Sequence, residues 1–510
     1  MNTVESSEFQ IFCEETYVQY TKPWTVSGHG KSSGTGFAVK IKDFIKNFSD
    51  DMFIMTNAHV IEFASYITVG KNNSTNIYRA KVEAIAIECD LAIISITGKG
   101  AKSKDTKHDI KHIREFWDGV KPLKFGNMPQ KTDVVFAYGF PMGGENISIT
   151  KGTVNRIKVL HYEPSAKGIT IQTDTSINSG NSGGPALNNK DEVIGVVFAT
   201  DLPEISQGNA GYIIPSILAK YFIKRIQKYK TFDGLCDIGI GTQMMHNAAL
   251  REMYGMEPYQ TGILVNEVDP HSDAYNKIKV DDVITKIDGI NIYYDGMIKL
   301  LELLGNQMKE EEREEFTQTF RMDDQINFGT VVSLKMPGES VHIELLRSGE
   351  IKKVNVKVQI RKYTIPILKY QQKPSYLMVG GLIFMPLSSM LIDELEQQGA
   401  YTNHLSELPE NVFLNAEGQQ IIILTGILRS ELTDGYKHEN NILAAVNGVR
   451  ILNLVHLQNV LKDSMKKDKF VIFDFCDTSD RIVLKSNDIA SYTKQIAQDQ
   501  LKTNITVLIP

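Results

Sequence analysis

A serine set among glycines, Asn178-Ser179-Gly180-Asn181-Ser182-Gly183-Gly184-Pro185, is the stretch of this chain best suited to covalent chemistry. A nucleophile must stand on a tight turn, and glycine reaches backbone conformations closed to residues with a Cβ. The N–H groups of Gly180 and Ser182 can therefore converge on one point and stabilise an oxyanion. A serine hydroxyl is a weak nucleophile unless a base takes its proton. Upstream, Thr56-Asn57-Ala58-His59-Val60 follows the apolar run Met52-Phe53-Ile54-Met55, so His59 falls where a buried strand ends and a turn begins. Cys89-Asp90-Leu91-Ala92-Ile93-Ile94 puts a carboxylate at the mouth of another apolar run, partly desolvated and available to orient an imidazole.

Taken singly, each element has an ordinary reading: a Gly/Ser/Asn cluster as a loop, a histidine beside an apolar strand as a structural residue, an aspartate at a strand mouth as a turn former. Their order, His59, Asp90, Ser182, with wide spacing and strand-like surroundings, matches the double β-barrel form of the serine triad. It does not match the Ser-Asp-His order of the α/β-hydrolases, although Gly180-Asn181-Ser182-Gly183-Gly184 also reads as G-x-S-x-G.

The elements that must position these residues are short Val/Ile/Phe-rich runs alternating with Gly, Asn and Asp turns from about residue 9 to about 215, the pattern of an all-β barrel domain. Residues from Ser216 to about Tyr229 read as an amphipathic closing helix. A second unit begins near Phe232-Asp233-Gly234, with strand-like Gly262-Ile263-Leu264-Val265-Asn266-Glu267-Val268, then Val280-Asp281-Asp282-Val283-Ile284-Thr285-Lys286-Ile287-Asp288-Gly289, and a hairpin from Ser340 to Lys357. A third unit starts after Gln371-Gln372-Lys373-Pro374-Ser375-Tyr376. Ile421 to Thr425, Asn441 to Val449 with its Asn447-Gly448 turn, and Leu454 to Leu461 repeat the strand, turn and helix order of the second unit.

The chain resembles the trypsin-like serine proteases of the HtrA/Deg family, and most of all the plant-type Deg branch that carries a second, divergent PDZ domain. Beyond the triad, the resemblance rests on Ser33-Gly34-Thr35-Gly36-Phe37, on Tyr138-Gly139-Phe140-Pro141-Met142-Gly143-Gly144, and on Ile194-Gly195-Val196-Val197 with Gly211-Tyr212-Ile213-Ile214-Pro215. It covers nearly the whole chain and implies a mainly β fold: a trypsin-like double β-barrel (9–230), a PDZ domain (232–362) with a charged helical insertion at about 297–326, and a divergent PDZ-like domain (372–510). In the first PDZ domain an edge strand and its preceding loop would accept a peptide, here at Gly262, Ile263 and Leu264. In the plant-type branch the divergent PDZ is an assembly element more than a peptide reader. Trypsin-like enzymes selective for basic side chains carry an acid six residues before the nucleophile; this chain has Ser176. With Ile177 and Phe198 nearby, the first substrate pocket is expected to take a small or medium apolar side chain.

With 510 residues, 42% hydrophobic and 23% charged, the composition is that of a soluble globular protein of about three or four domains. A net charge of −6 and a pI near 6.1 give no basic footprint for nucleic acid. Cys13, Cys89, Cys236 and Cys476 lie outside any disulfide or zinc spacing, and with an acidic N-terminus lacking a signal or transit pattern they point to a reducing compartment, cytosolic or nuclear. The apolar run Leu377 to Met385 is strand-sized, too short for a membrane span. Gly28-His29-Gly30-Lys31-Ser32 has Thr25 where a phosphate loop needs glycine, and reads as a loop into the first barrel strand. Lys309 to Glu315 reads as a solvated helix face.

The resulting expectation is an ATP-independent serine endopeptidase acting on unfolded or damaged proteins, without cofactor or metal, controlled by its PDZ domains and assembled as a trimer or hexamer. The other reading is a PDZ-based peptide-binding or chaperone scaffold with an idle protease domain. Intact His59, Asp90 and Ser182 favour the enzyme, since a scaffold is free to lose any of them.

Overall fold

The computed structural model describes residues 4–45, 51–100, 106–141, 146–163, 166–198, 210–306, 324–366, 373–399, 405, 416–437 and 440–499. It divides into two compact units, residues 1–15 with 29–361, and 16–28 with 362–510.

In the first unit the alternating runs close into two six-stranded barrels. β1 (Glu8–Val18), β2 (Val26–Lys40), β3 (Met52–Thr56), β4 (Ala64–Lys71), β5 (Ile77–Ala86) and β6 (Leu91–Lys99) form one, in the order β1-β2-β3-β6-β5-β4. β7 (Val134–Gly139), β8 (Ser148–Glu163), β9 (Ala166–Thr173), β10 (Pro185–Leu187), β11 (Val193–Phe198) and β12 (Gly211–Pro215) form the other, in the order β10-β11-β12-β9-β8-β7. The loop expected at Gly28–Ser32 is instead strand, the first part of β2.

β3 is buried along its whole length because its side chains alternate between two cores. Ile54 joins Phe9, Ile11 and Ile94, while Phe53 and Met55 join Leu187, Val196 and Ile214 of the second barrel. The two barrels thus share apolar core, and the helix Ser216–Tyr229 closes it through Leu218, Phe222 and Ile226.

β13 (Cys236–Asp237) opens the next domain. β14 (Ile240–Gln243), β15 (Ile263–Val268), β16 (Val283–Ile287), β17 (Ile290–Asn291), β18 (Met297–Lys299), β19 (Gln325–Asn327), β20 (Ser340–Arg347), β21 (Glu350–Lys357) and β22 (Gln359–Ile360) follow. The sheet order is β14-β15-β16-β20-β21, with β17 hairpinned to β16; β13 pairs β22. Its core runs into that of the second barrel: Ile263, Ile284 and Ile343 share a cluster with Val135, Ile157 and Ile213.

The charged insertion is not helical at its ends. β18 and β19 form an antiparallel ladder around the helix Leu300–Asn306, and Asp324, just before β19, pairs with Lys131 at 3.0 Å and accepts from the Ile157 N–H at 3.5 Å. The run Lys309 to Glu315 lies outside the described residues.

The second unit holds β23 (Leu377–Val379), β24 (Leu382–Pro386), β25 (Ile422–Ile427), β26 (Asn441–Val446), β27 (Val449–Arg450), β28 (Phe470–Phe475) and β29 (Arg481–Lys485), with helices Leu454–Lys467 and Ser486–Asp499. The apolar run Leu377 to Met385 is two strands, folded at Gly380 and Gly381, whose φ of +58° and +101° suit glycine. The repeat seen in the sequence is a repeat of turn chemistry. Asp288-Gly289 between β16 and β17, and Asn447-Gly448 between β26 and β27, both take positive φ at the two central residues, the type I′ hairpin. Also in this unit, Tyr20 is buried among Leu391 and Leu395, and its N–H donates to Glu394 at 2.5 Å, as does Thr21 Oγ1. Among the described residues no helix is long and apolar enough to cross a membrane.

One buried acid gives the first unit a pH dependence. Glu8 on β1 is 1% exposed and both carboxylate oxygens lack a hydrogen-bond partner among the described residues. Burial, with Glu5 adding to it, pushes its pKa well above the ordinary 4.5. A raised folded pKa means that stability is fully present below 4.5 and is lost as pH rises through the folded value. Glu8→Gln should therefore gain on the wild type between pH 4 and pH 8, by about 2–4 °C in Tm for each kcal/mol of charge burial relieved. Parallel melting curves at the two pH values with an unchanged gap would exclude this.

Candidate active site

The apolar strand β3 ends at Thr56, and the chain turns into the short helix Ala58–Ile61 that carries His59. On the neighbouring strand the 3-10 turn Ile87–Cys89 ends at Asp90, which adopts the left-handed conformation (φ 48°, ψ 45°) and directs its N–H back to the Ile87 carbonyl at 2.9 Å. Aspartate tolerates this conformation better than most residues, and three further bonds fix it. Asn57 Nδ2 donates to the Asp90 carbonyl at 2.9 Å. The Asp90 carboxylate accepts from the His59 backbone N–H at 2.9 Å and faces His59 Nδ1, 2.8 Å from Oδ2 and 3.0 Å from Oδ1. Asp90 is 2% exposed while the His59 side chain is 28% exposed, so a buried carboxylate holds an imidazole that reaches the surface.

Ser182 comes from the other barrel, in the turn before β10, and is 6% exposed. Thr35 on β2 ties that turn down. Its N–H donates to the Ser182 carbonyl at 2.8 Å and its hydroxyl to the Gly180 carbonyl at 2.8 Å, while the Phe140 N–H donates to the same hydroxyl at 2.9 Å. Thr56 Oγ1 donates to the Thr35 carbonyl at 2.8 Å, which links the turn to the end of β3, three residues before His59. Glycine is obligatory at 183: with φ +87°, a Cβ there would lie 2.1 Å from the Thr35 carbonyl oxygen and 2.2 Å from Thr56 Oγ1. Gly34 is equally confined, between the Val60 side chain at 2.7 Å and the Ser182 carbonyl at 3.2 Å. The Ser182 turn, with Gly180 at φ +100°, is thereby tied through Thr35 and Thr56 to the end of β3 that leads to His59.

Residues 34–196 match the trypsin-like peptidase domain and residues 365–503 a PDZ domain. Protease Do-like 2, chloroplastic, of Arabidopsis thaliana is 32% identical over 92% of this chain and 69% of its own length, and Protease Do-like 4, mitochondrial, of the same plant is 32% identical over 91% and 78%. The chain belongs to the Do-like (Deg/HtrA) protease family. It is a serine endopeptidase by its peptidase domain and its relatives. Among solved structures, the HtrA-type protease AlgW with decapeptide aligns over 71% of this chain and 97% of that one, at 19% identity and a TM-score of 0.46.

Within this Do-like protease, the three residues expected to line the substrate pocket do not form one surface. Ser176 is exposed, its carbonyl accepting from Thr150 Oγ1 at 2.9 Å. Ile177 is half-buried against the cluster that contains Val197. Phe198 is 1% exposed and packs on Tyr212 in the other cluster, because alternation along β11 sends 197 and 198 to opposite faces. The loop 199–209 lies outside the described residues.

The peptide-accepting edge also needs correction. Gly262, Ile263 and Leu264 lead into β15, which has β14 on one side and β16 on the other, so its ladder is already filled. Ile263 and Leu264 are each 4% exposed. The sheet has two edge strands, β14 and β21, and the one beside β15 is β14, Ile240–Gln243, preceded by Ile238 and by Gly239 at φ +73°. Strand addition requires an unfilled edge, and β14 has that position.

Asn57 and Thr35 are the functional residues that reading the sequence overlooked, although both stand inside quoted stretches. Thr35→Val removes a hydroxyl that satisfies two buried backbone groups, each costing about 1–3 kcal/mol when left unpaired. We expect kcat to fall roughly 10–100-fold through misplacement of the Ser182 turn, with Thr35→Ser close to wild type. Wild-type kcat in a folded Thr35→Val enzyme would remove Thr35 from the site.

Proposed function

We propose that this Do-like protease is an ATP-independent endopeptidase that degrades unfolded or damaged proteins, with Ser182 as nucleophile, His59 as general base and acid, and Asp90 as the group that orients His59. The observation that carries the reading is the double hold of the Asp90 carboxylate on His59, through the backbone N–H and through Nδ1. With Nδ1–H given to the carboxylate, Nε2 keeps the lone pair. It takes the proton of Ser182 Oγ as the hydroxyl attacks the scissile carbonyl, and returns it to the leaving amine. The N–H groups of Gly180 and Ser182 receive the oxyanion. Asp90 stabilises the imidazolium.

The first PDZ domain, through the edge of β14, captures extended segments such as unfolded chains expose, and supplies the control of the protease. The C-terminal domain serves assembly into trimers or hexamers. A reducing compartment, cytosolic or nuclear, suits four cysteines that are all free in the fold.

Unfolded casein incubated with the wild type should be cleaved, and with Ser182→Ala should remain intact, a loss of roughly 10⁶-fold in rate. Equal cleavage by the two on a gel would refute the assignment. For the pocket, Ser176 offers no carboxylate to pair with a basic side chain, which removes the attraction that enzymes selective for Lys or Arg supply. Peptides with Val, Ala, Leu or Ile before the scissile bond should be cut faster than those with Lys or Arg, and a peptide-library profile led by Arg or Lys would overturn this.

A further inference from the structure

The 3-10 turn that presents Asp90 is itself held from outside the barrels. Glu88, two residues before Asp90 and 9% exposed, accepts the N–H of Leu235. The carbonyl of the same peptide group, that of Gly234, accepts from Arg225 Nη2 at 3.3 Å. A buried guanidinium and a buried carboxylate therefore grip the two ends of one peptide group, the Gly234–Leu235 link through which the chain leaves the barrels. Gly234 fits this grip: its φ is +124°, and a Cβ would lie 3.1 Å from one Glu88 oxygen and 3.3 Å from the other.

Arg225 is 1% exposed. Its guanidinium donates to Tyr221 Oη at 2.9 Å and to Cys236 Sγ at 3.7 Å, and lies over the rings of Tyr221, Tyr229 and Phe232 at 5.7, 5.4 and 5.2 Å. Burying a cation is costly unless it is compensated, and here aromatic faces and the peptide dipole do so while passing its charge toward Glu88. On the far side of the grip, the Leu235 carbonyl accepts from the Arg361 N–H at 2.9 Å and Cys236 and Asp237 pair with Ile360 and Gln359. The first and last strands of the PDZ domain are thus joined directly behind it.

Resting on the triad reading above, we propose that Glu88 is a positioning residue for the proteolytic reaction: clamped to the Gly234–Leu235 peptide opposite Arg225, it fixes the turn from which Asp90 orients His59. The turn has a short reach. Asp90 stands in a left-handed conformation at its end, so a shift of residues 87–89 moves the carboxylate relative to Nδ1 without unfolding the barrel.

The test uses the full-length chain and a short fluorogenic peptide that needs no capture by the PDZ domain, with kcat, KM and the pH profile of kcat/KM measured for wild type, Glu88→Ala, Glu88→Asp, Glu88→Gln and Ser182→Ala. Glu88→Ala should lose about 100-fold in kcat, with KM within about twofold, because a catalytic group misplaced by an ångström costs that much. Its pH profile should also move its acidic limb to lower pH, since an imidazolium less supported by Asp90 gives up its proton more readily. Glu88→Gln keeps an oxygen to accept the Leu235 N–H and should recover most of the kcat; Glu88→Asp, a methylene shorter, should not, and serves in place of Glu88→Ala if that variant fails to fold. Wild-type kcat in Glu88→Asp or in a folded Glu88→Ala, a fall in kcat with an unmoved pH profile, or a Gln variant no better than Ala would each overturn the clamp. Ser182→Ala separates the two claims: if it is active, the triad reading falls and takes this role with it, whereas an inactive Ser182→Ala beside an unimpaired Glu88→Asp removes only the clamp.

Discussion

A carboxylate can orient an imidazole only if it is itself immobile, and the structure is organised around the immobility of Asp90. The left-handed turn points the carboxylate across to the start of the His59 helix, Asn57 fixes the carbonyl, and the His59 backbone N–H and ring nitrogen both meet the acid. Each hydrogen bond is modest by itself, about 1 kcal/mol net. Together they leave the His59 ring with one orientation, and the cost of a strained aspartate falls on a site that needs it.

The second requirement of the proposed triad is that the two barrels keep a fixed relation, and packing contributes to it where hydrogen bonds alone would not. Phe53 and Met55, on the strand that leads to His59, lie in the same core as Leu187, on the strand that follows the Ser182 turn, and Val196, on β11, which hydrogen-bonds to Gly183 and Gly184 through Val197. A rotation of one barrel against the other would open this shared core, at about 25 cal/mol for each Å² of apolar surface exposed. Thr35 then sets the finer adjustment by joining the Gly180 and Ser182 carbonyls to β2. The core continues from the second barrel into the first PDZ domain, and for that reason residues 29–361 are one compact unit.

What could be read from the sequence was whatever local chemistry specifies. The strand ends that carry His59 and Asp90, the glycines around Ser182, the helix Ser216–Tyr229 and the Asp-Gly and Asn-Gly hairpins each require particular residues within a few positions. What escaped was decided by pairing across long separations. β14 and β15 are both short, and nothing local tells which has an empty side; the ladder β15 makes with β16 does. Phe198 was misjudged by one step of strand alternation, which exchanges the two faces of β11 completely. In Leu377 to Met385, continuous hydrophobicity masked a reversal that only the two positive-φ glycines produce.

That reversal distinguishes the sheets of the two PDZ domains. Their sheets correspond strand for strand: β14, β15, β16, β20 and β21 in the first, β24, β25, β26, β28 and β29 in the second, with the type I′ hairpin at the same place in each. In the first domain β14 is an edge strand. In the second, its counterpart β24 is already paired by β23, Leu377 to Phe384 and Val379 to Leu382, and β23 is buried throughout. The chain has supplied its own strand where a ligand would add one. A peptide competing for β24 would have to displace three buried apolar residues tethered by a two-glycine turn, and an intramolecular partner at so short a tether holds a large advantage in effective concentration. β14 therefore keeps an unfilled side in a domain continuous with the protease, while β24 has both of its neighbours supplied by its own chain.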